Sequence, residues 1–140
     1  MTAAMADILS KHKRSEVMAA VRSHGNRATE LKLVALLRRH HITGWRRKQK
    51  LIGKPDFVFP LKGVAIFVDG CFWHGCPRCY RRPSSHRQYW DTKVRRNKQR
   101  DRFVTQGLRA AGWRVLRIWE HELPRKNEAR LTRRLEWAFT

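Results

Sequence analysis

Apolar residues three and four positions apart mark the first regular element of the chain. They are Leu31, Leu33, Val34, Leu36 and Leu37. This spacing predicts an amphipathic helix that ends near His40, because such residues share one helix face. Thr29 is placed to cap the start of the helix, Glu30 favours its first turn, and Gly44 breaks the pattern.

A region with the character of a β-sheet follows this helix. Asp56–Phe59 predicts a strand, and Pro60–Gly63 predicts a hairpin turn. Val64–Val68 is a continuous apolar run rich in β-branched residues, which favours a central strand buried on both faces. The second strand of the hairpin therefore delivers Asp69 and Gly70 at its end.

Two further helices and one strand complete the pattern. A long helix is predicted from about Ser85 to Ala110, and Trp113–Trp119 then alternates apolar and basic residues as a half-buried strand does. A last helix begins near Asn127. Its apolar positions are Leu131, Leu135 and Trp137. The order helix, strands, helix, strand, helix predicts an α/β sandwich with a mixed sheet.

The length and charge of the chain narrow its class. Its 140 residues suit one domain, in which we expect a basic N-terminal arm over residues 1–28 and the main folded part over residues 29–140. The 32 Lys and Arg residues against 11 Asp and Glu leave a formal charge of +21, so the chain should bind polyanions with marked salt dependence. Nucleic acid is the leading partner, and a structural basic protein or a membrane-surface binder is the alternative.

The sequence gives no sign of secretion or membrane insertion. No apolar run is long enough to cross a bilayer, and residues 1–11 lack the apolar stretch of a signal peptide. We therefore expect an intracellular, cytoplasmic protein.

Three cysteines lie close together, at Cys71, Cys76 and Cys79. In an intracellular chain, clustered cysteines are more often metal ligands than disulfide partners, although three free thiols remain the alternative. Structural zinc takes four sulfur or imidazole ligands. The candidates for the fourth position are His74, His86 and His121. A loop that closed on zinc through His74 would be very tight, whereas His121 follows a strand that could run beside Val64–Val68, and we favour His121.

A second group of residues suits phosphodiester hydrolysis. An antiparallel hairpin would place Asp56 and Asp69 near the same end of the sheet, where carboxylates can bind Mg²⁺. His74 lies a few residues further on and could act as a general acid or base. The alternative is that each aspartate forms a turn and that the histidine is structural.

At these residues the chain resembles the very short patch repair endonucleases. The matching segments are Pro55–Val58, Ile66–Cys76 and Trp113–Leu116 with Trp119–Glu120, and the Gly-Cys-Phe-Trp-His block is the most specific. The resemblance runs from about Lys13 to the C-terminus. It implies a restriction-endonuclease-like three-layer sandwich, in which helices flank the mixed sheet, and makes residues 29–140 the endonuclease domain. It also implies catalytic Mg²⁺, one structural zinc, and nicking of one DNA strand 5′ to the thymine of a T:G mismatch.

The resemblance assigns roles to individual active-site residues. It implies that Asp56 and the main-chain carbonyl of Val68 bind Mg²⁺ and that His74 assists the attacking water. Glu30 matches a supporting carboxylate. The family can hold a histidine where this chain has Asp69, and an aspartate there would more naturally bind or position the metal than act in acid–base catalysis.

The resemblance likewise assigns the zinc and DNA contacts. The implied zinc ligands are Cys71, Cys76, Cys79 and His121, and the family can hold a cysteine in the last of these places. The residues implied to wedge into the duplex beside the mismatch are Phe72, Trp73 and Trp90. The residues expected to contact phosphates are Lys13, Arg14, Arg95 and Arg96. Without the resemblance, we would interpret Trp90 as a core residue.

Three hypotheses therefore follow from the sequence. The first is a mismatch-nicking endonuclease that is linked functionally to a cytosine-5 DNA methyltransferase, because deamination of the methylated cytosine gives a T:G mismatch. A monomer suffices to nick one strand, and the enzyme would work in the bacterial cytoplasm at the nucleoid. The second is a related restriction-type or structure-selective nuclease. The third is a non-catalytic, zinc-stabilised DNA-binding module.

Overall fold

The computed structural model describes residues 28–140, which fold around a four-stranded sheet. Helix α1 covers residues 28–39 of this part of the chain. The later elements are β1 (Arg46–Arg47), β2 (Phe57–Phe59), β3 (Val64–Asp69), α2 (Arg87–Ala110), β4 (Arg114–Trp119), the 3₁₀ turns Glu120–Glu122 and Arg125–Asn127, and α3 (Glu128–Phe139). Residues 1–27 of the predicted N-terminal arm, with Lys13 and Arg14, lie outside the described residues.

The sheet is mixed, as the sequence predicts. Its strand order is β1-β2-β3-β4, with antiparallel pairs β1–β2 and β2–β3 and a parallel pair β3–β4. The hairpin pairs Phe57 with Ile66, and the turn at Gly63 adopts φ 67°, a left-handed conformation that glycine adopts without strain. In the parallel pair, Asp69 lies opposite Trp119. The chain segments that follow Asp69 and Trp119 therefore leave the sheet at the same end.

Two hydrophobic clusters pack against the sheet. Successive residues of β3 point to opposite faces, so Ile66 and Phe67 belong to different clusters. On one face Ile66 packs with residues of α1 and α3, including Leu33, Leu36, Leu131 and Leu135. On the other face Phe67 packs with Val104 and Leu108 of α2. This burial confirms β3 as a central strand covered on both sides.

The structure corrects three details of the predicted helices. Thr29 does not cap α1, because residue 28 is already helical and the Thr29 side chain is buried. Leu31 is 49% exposed, since the buried face of α1 consists of the later leucines and Val34. Trp137 is 78% exposed, because Ala138 occupies the core-facing position near the end of α3. The remaining helix bounds agree with the predictions to within two residues.

Strand β1 was not predicted. It consists of Arg46 and Arg47, which pair with Val58 and Phe57 at the edge of the sheet. Within residues 28–140, no helix combines the length and apolar character that crossing a membrane requires.

Candidate active site and metal centre

The parallel register of β3 and β4 brings two separate loops together. Asp69 and Trp119 are the last paired residues of these two strands. Cys71 follows Asp69 by two residues and His121 follows Trp119 by two residues, so both leave the same end of the sheet. The loop after β3 then turns tightly, with Cys76 N donating to Cys71 O at 2.9 Å and Tyr80 N donating to Cys76 O at 3.0 Å. These turns direct all three cysteines toward the 3₁₀ turn that carries His121.

Cys71, Cys76, Cys79 and His121 form a group with the dimensions of a tetrahedral zinc site. Their three Sγ atoms lie 3.4, 3.5 and 3.3 Å from His121 Nδ1. Zn–S bonds near 2.3 Å and Zn–N bonds near 2.0 Å at tetrahedral angles would separate sulfur from nitrogen by about 3.5 Å. The four residues therefore fit one zinc ion.

The chemistry of the thiols supports the same interpretation. Burial, together with the adjacent thiols of Cys76 and Cys79, raises the pKa of Cys71 to about 12, although a main-chain hydrogen bond from His121 acts in the opposite direction. Thiols with such a raised pKa keep their protons at neutral pH unless a cation takes the place of those protons, as zinc does when cysteines bind it. Of the three histidines considered for the fourth ligand, His121 is the one that lies in this group, while His74 contacts Asp101.

Asp56 and Glu30 form a pair of carboxyl groups beside the backbone of β3. Val68 N donates to Asp56 Oδ2 at 2.7 Å, and Arg47 Nη2 donates to Glu30 Oε2 at 2.7 Å. Burial raises the pKa of Asp56 to about 8, and the hydrogen bond and negative charge of Glu30 act in the same direction, while the Val68 N–H opposes them. Two acids in this arrangement require either a shared proton or a cation.

A cavity of about 570 Å³ opens beside this pair of carboxyl groups. Three lysines line it together with Glu30 and Asp56: Lys48, Lys50 and Lys54. Lys48 and Lys54 hold left-handed backbone conformations, with φ 55° and 51°, which are strained for residues other than glycine. The lysines give the mouth of the site a positive charge that suits a phosphate group.

Beyond the end of β3, Asp69 and His74 meet a third residue, Asp101 of α2. His74 Nδ1 lies 2.6 Å from Asp101 Oδ2, and His74 Nε2 lies 3.9 Å from Asp69 Oδ1. Burial raises the pKa of Asp69, whereas His74 and Arg117 oppose this rise and Asp101 adds to it. The ligand-type atoms of these three residues lie within 4.8 Å of one another.

Asp56 and Asp69 thus share one edge of the sheet but have different partners. The charge of Asp69 acts on Asp56, yet Asp56 contacts Glu30 whereas Asp69 contacts Arg117. Sequence reasoning missed Asp101 and Arg117. The signal for Asp101 was available, because it continues the inward-facing positions of α2 that include Val94, Asn97 and Val104.

Phe72, Trp73 and Trp90 lie in one aromatic cluster. The Phe72 ring centroid lies 5.4 Å from that of Trp73 and 5.2 Å from that of Trp90. Phe72 and Trp73 are partly exposed, while Trp90 is 9% exposed and also contacts the Tyr89 ring. Asn97 Nδ2 donates to Trp73 O at 2.7 Å and so holds the loop against α2.

The outer face of α2 is strongly basic. Its exposed cationic residues include Arg87, Arg95, Arg96, Lys98, Arg100 and Arg102. The two residues expected to contact phosphates, Arg95 and Arg96, are therefore accessible.

The chain is similar to proteins of one family over most of its length. The family model "DNA mismatch endonuclease Vsr" matches residues 6–81. The "Type II nicking enzyme V.NaeI" of Lentzea aerocolonigenes is 59% identical over 69 residues, which are 49% of this chain and 42% of that protein. The "Type II nicking enzyme V.XorIIP" of Xanthomonas oryzae is 40% identical over 124 residues, 85% of this chain and 88% of that protein. The "DNA mismatch endonuclease Vsr" of Escherichia coli is 36% identical over 137 residues, 94% of this chain and 86% of that protein.

Proposed function

Because the chain belongs to the DNA mismatch endonuclease Vsr family and is an endonuclease acting on the phosphodiester bonds of DNA, we propose that it nicks one strand 5′ to the thymine of a T:G mismatch. The observation that carries the proposal is the pairing of Asp56 with Glu30 at the same sheet edge as His74. The Asp56–Glu30 pair suits a hard cation, and His74 suits proton transfer.

Asp56, Glu30 and the main-chain carbonyl of Val68 fit a site for Mg²⁺. The N–H and C=O of one strand residue point toward the same neighbouring strand, so the Val68 carbonyl faces the side on which Asp56 lies. Burial and the neighbouring Glu30 carboxyl group raise the pKa of Asp56, so a cation bound between the two acids would favour the ionised form of Asp56. A bound Mg²⁺ would neutralise the scissile phosphate and lower the pKa of an attacking water.

His74 is the residue best placed to accept a proton from that water. Its Nδ1 is held by Asp101, which leaves Nε2 as the nitrogen that can exchange a proton with the substrate. Asp101 acts here as a positioning residue, because it fixes the orientation of the imidazole ring. The three lysines of the cavity would bind the phosphates on either side of the cleavage point.

The Cys₃His group would hold a structural zinc. Zinc bound there would fix the loop that carries Phe72, Trp73 and His74, and it would connect this loop to the end of β4. We further propose the restriction-endonuclease-like three-layer sandwich, which the hydrophobic clusters on both faces of β3 support.

Phe72 and Trp73 are the proposed wedge at the mismatch, because their rings are partly exposed. A mismatched step is cheaper to unstack than a paired one, so insertion favours the T:G site. Trp90 lies beneath these rings, and its direct insertion would require the cluster to open. Arg95 and Arg96, with Lys13 and Arg14 of the N-terminal arm, would contact the backbone.

This function would place the protein with chromosomal DNA in the bacterial cytoplasm, and it would link it to a cytosine-5 methyltransferase. Methylated cytosine that deaminates gives the T:G mismatch that the enzyme repairs.

A strand-resolved cleavage panel tests the proposal. Purified protein with Mg²⁺ is incubated with T:G, other mismatched and fully paired duplexes, and we expect one nick 5′ to the thymine of the T:G duplex. Asp56→Ala should bind this duplex and leave it uncut, whereas Asp91→Ala, which removes an exposed acid of α2, should cut normally. Equal cutting of paired and T:G duplexes would favour a restriction-type enzyme, and salt-sensitive binding without cleavage in any divalent metal would favour a binding module.

A further inference from the structure

Arg117 of β4 connects β3 to α2 beside His74. Its guanidinium stacks on the Phe67 ring at 4.2 Å from the centroid, its Nε donates to Thr105 Oγ1 at 3.0 Å, and its Nη2 donates to the main-chain oxygen of Asp101 at 3.2 Å. The side chain is therefore attached to β3 and to two positions one turn apart on α2. A guanidinium has the fixed fork of donors that such multiple attachment requires.

The same guanidinium holds both acids that face His74. Arg117 Nη1 donates to both oxygens of Asp69 at 3.1 Å and lies 3.6 Å from Asp101 Oδ1. The other Asp101 oxygen, Oδ2, bonds to His74 Nδ1. Asp101 is thus fixed between a cation and the imidazole, with one oxygen directed to each.

The contact with Asp69 has a second consequence. Asp69 Oδ1 lies 3.9 Å from His74 Nε2, a distance that a small side-chain rotation would reduce to a hydrogen bond. Such a bond would occupy the nitrogen that the proposed reaction needs. Because Arg117 holds both Asp69 oxygens, it keeps that carboxylate away from Nε2.

We propose that Arg117 is a positioning residue for cleavage, which directs Asp101 onto His74 Nδ1 and withholds Asp69 from His74 Nε2. This inference rests on the proposed role of His74. It also gives Asp69 a different part from that of a metal ligand, because both of its oxygens are already bound to a cation.

Kinetics of the full chain test this proposal with matched variants. Arg117→Met should lower the kcat for nicking about 10- to 100-fold, while KM for the duplex stays unchanged. The control is Arg114→Met, which removes a cation from the same strand at the end remote from the site, where Arg114 bonds Ala138 O. An Arg117→Met variant that is as active as Arg114→Met, or one in which only KM rises, would overturn the proposal.

Two further variants separate positioning from simple loss of folding. Arg117→Lys keeps the charge, but an ammonium cannot reach Asp69, Asp101 and Thr105 together, so this variant should fold normally and still have a reduced kcat. Asp69→Ala added to Arg117→Met removes the group that competes for Nε2 and should restore part of the kcat. A double variant no more active than Arg117→Met alone would contradict the withholding role.

A spectroscopic measurement is independent of cleavage. In histidine-labelled protein, the proton between His74 Nδ1 and Asp101 should give a downfield resonance that is assigned by its loss in His74→Gln. It should persist in Arg114→Met and disappear or shift in Arg117→Met. If the wild-type protein cuts no T:G duplex, this resonance still decides whether Arg117 positions the pair, and an unchanged resonance in Arg117→Met would refute it.

Discussion

His74 Nδ1 and Asp101 Oδ2 lie 2.6 Å apart, although 27 positions separate these residues along the chain. The bond joins the loop after β3 to the middle of α2. Removing it in Asp101→Ala should lower the nicking rate about 100-fold, because the imidazole loses the partner that orients it. Affinity for DNA should stay the same, since Asp101 contacts the protein interior rather than the basic face of α2.

The matched control for this prediction is Asp91→Ala on the same helix. Asp91 is exposed and pairs with Arg82 at 2.6 Å. Equal rates for the two variants, measured in single-turnover cleavage, would show that the His74–Asp101 bond has no part in the reaction.

The raised pKa of Asp56 predicts a specific dependence of stability on pH. Burial and Glu30 raise it from 3.8 to about 8, so between these values the folded state binds more protons than the unfolded state. The free energy of unfolding should therefore fall as the pH rises from about 5 to about 8 without added Mg²⁺. The protonated Asp56 stabilises the folded state fully below the pKa of the unfolded state, 3.8, and this contribution is lost as the pH rises through the folded-state pKa of about 8.

Urea unfolding at a series of pH values measures this effect. Asp56→Asn should show a shallower decline than the wild type, and saturating Mg²⁺ should flatten the wild-type curve because the cation replaces the proton. Parallel curves for the wild type and Asp56→Asn would mean that another group is responsible.

The cysteine group predicts about one zinc per chain. His121→Ala should lose stoichiometric zinc and melt at a lower temperature, whereas His121→Cys should keep the metal because a thiolate can take the same place. His86→Ala tests the histidine outside the group and should leave the zinc content unchanged. Elemental analysis with thermal melting gives both quantities, and a metal-free wild type that melts at the same temperature would refute the site.

The loop after β3 lies close against α2 at Gly75. Gly75 has φ 60°, and an added Cβ would lie 2.5 Å from Lys98 Cε and 2.6 Å from Val94 Cγ1. Gly75→Ala should therefore destabilise the protein by about 1–3 kcal/mol. Gly44→Ala is the control for the backbone conformation alone, with φ 87° and no atom within 4 Å of the added Cβ, and it should cost about 1 kcal/mol. Equal losses in denaturant unfolding would show that loop packing is unimportant.

The elements that formed from local patterns were predictable from the sequence. The hairpin of Phe57–Phe59 and Val64–Asp69 follows from apolar runs with a glycine turn between them, and α2 follows from its length and spacing. The pairing of β3 with β4 was also inferred from the sequence. The cysteines follow β3 and His121 follows β4, so placing them together required the two strands to run side by side.

The remaining contacts depend on tertiary packing. Arg117 was assigned to the polar side of an alternating strand, but α2 covers that side and makes it the inside of the site. Asp101 lies on the inward-facing side of α2, but its bond to His74 depends on how the loop after β3 packs against that helix. The edge strand Arg46–Arg47 has no apolar pattern at all, and its pairing with β2 is what positions Arg47 against Glu30.

The equal lengths of β3 and β4 restrict how this chain can vary. One residue added within β4 would move His121 by about 3.3 Å and turn its side chain to the other face of the sheet. The cysteines would then lose their fourth partner even though every ligand was still encoded. Insertions and deletions among natural variants should therefore fall in the turns around Gly63 and Gly112, and the segments from Val64 to Cys71 and from Arg114 to His121 should keep a constant length.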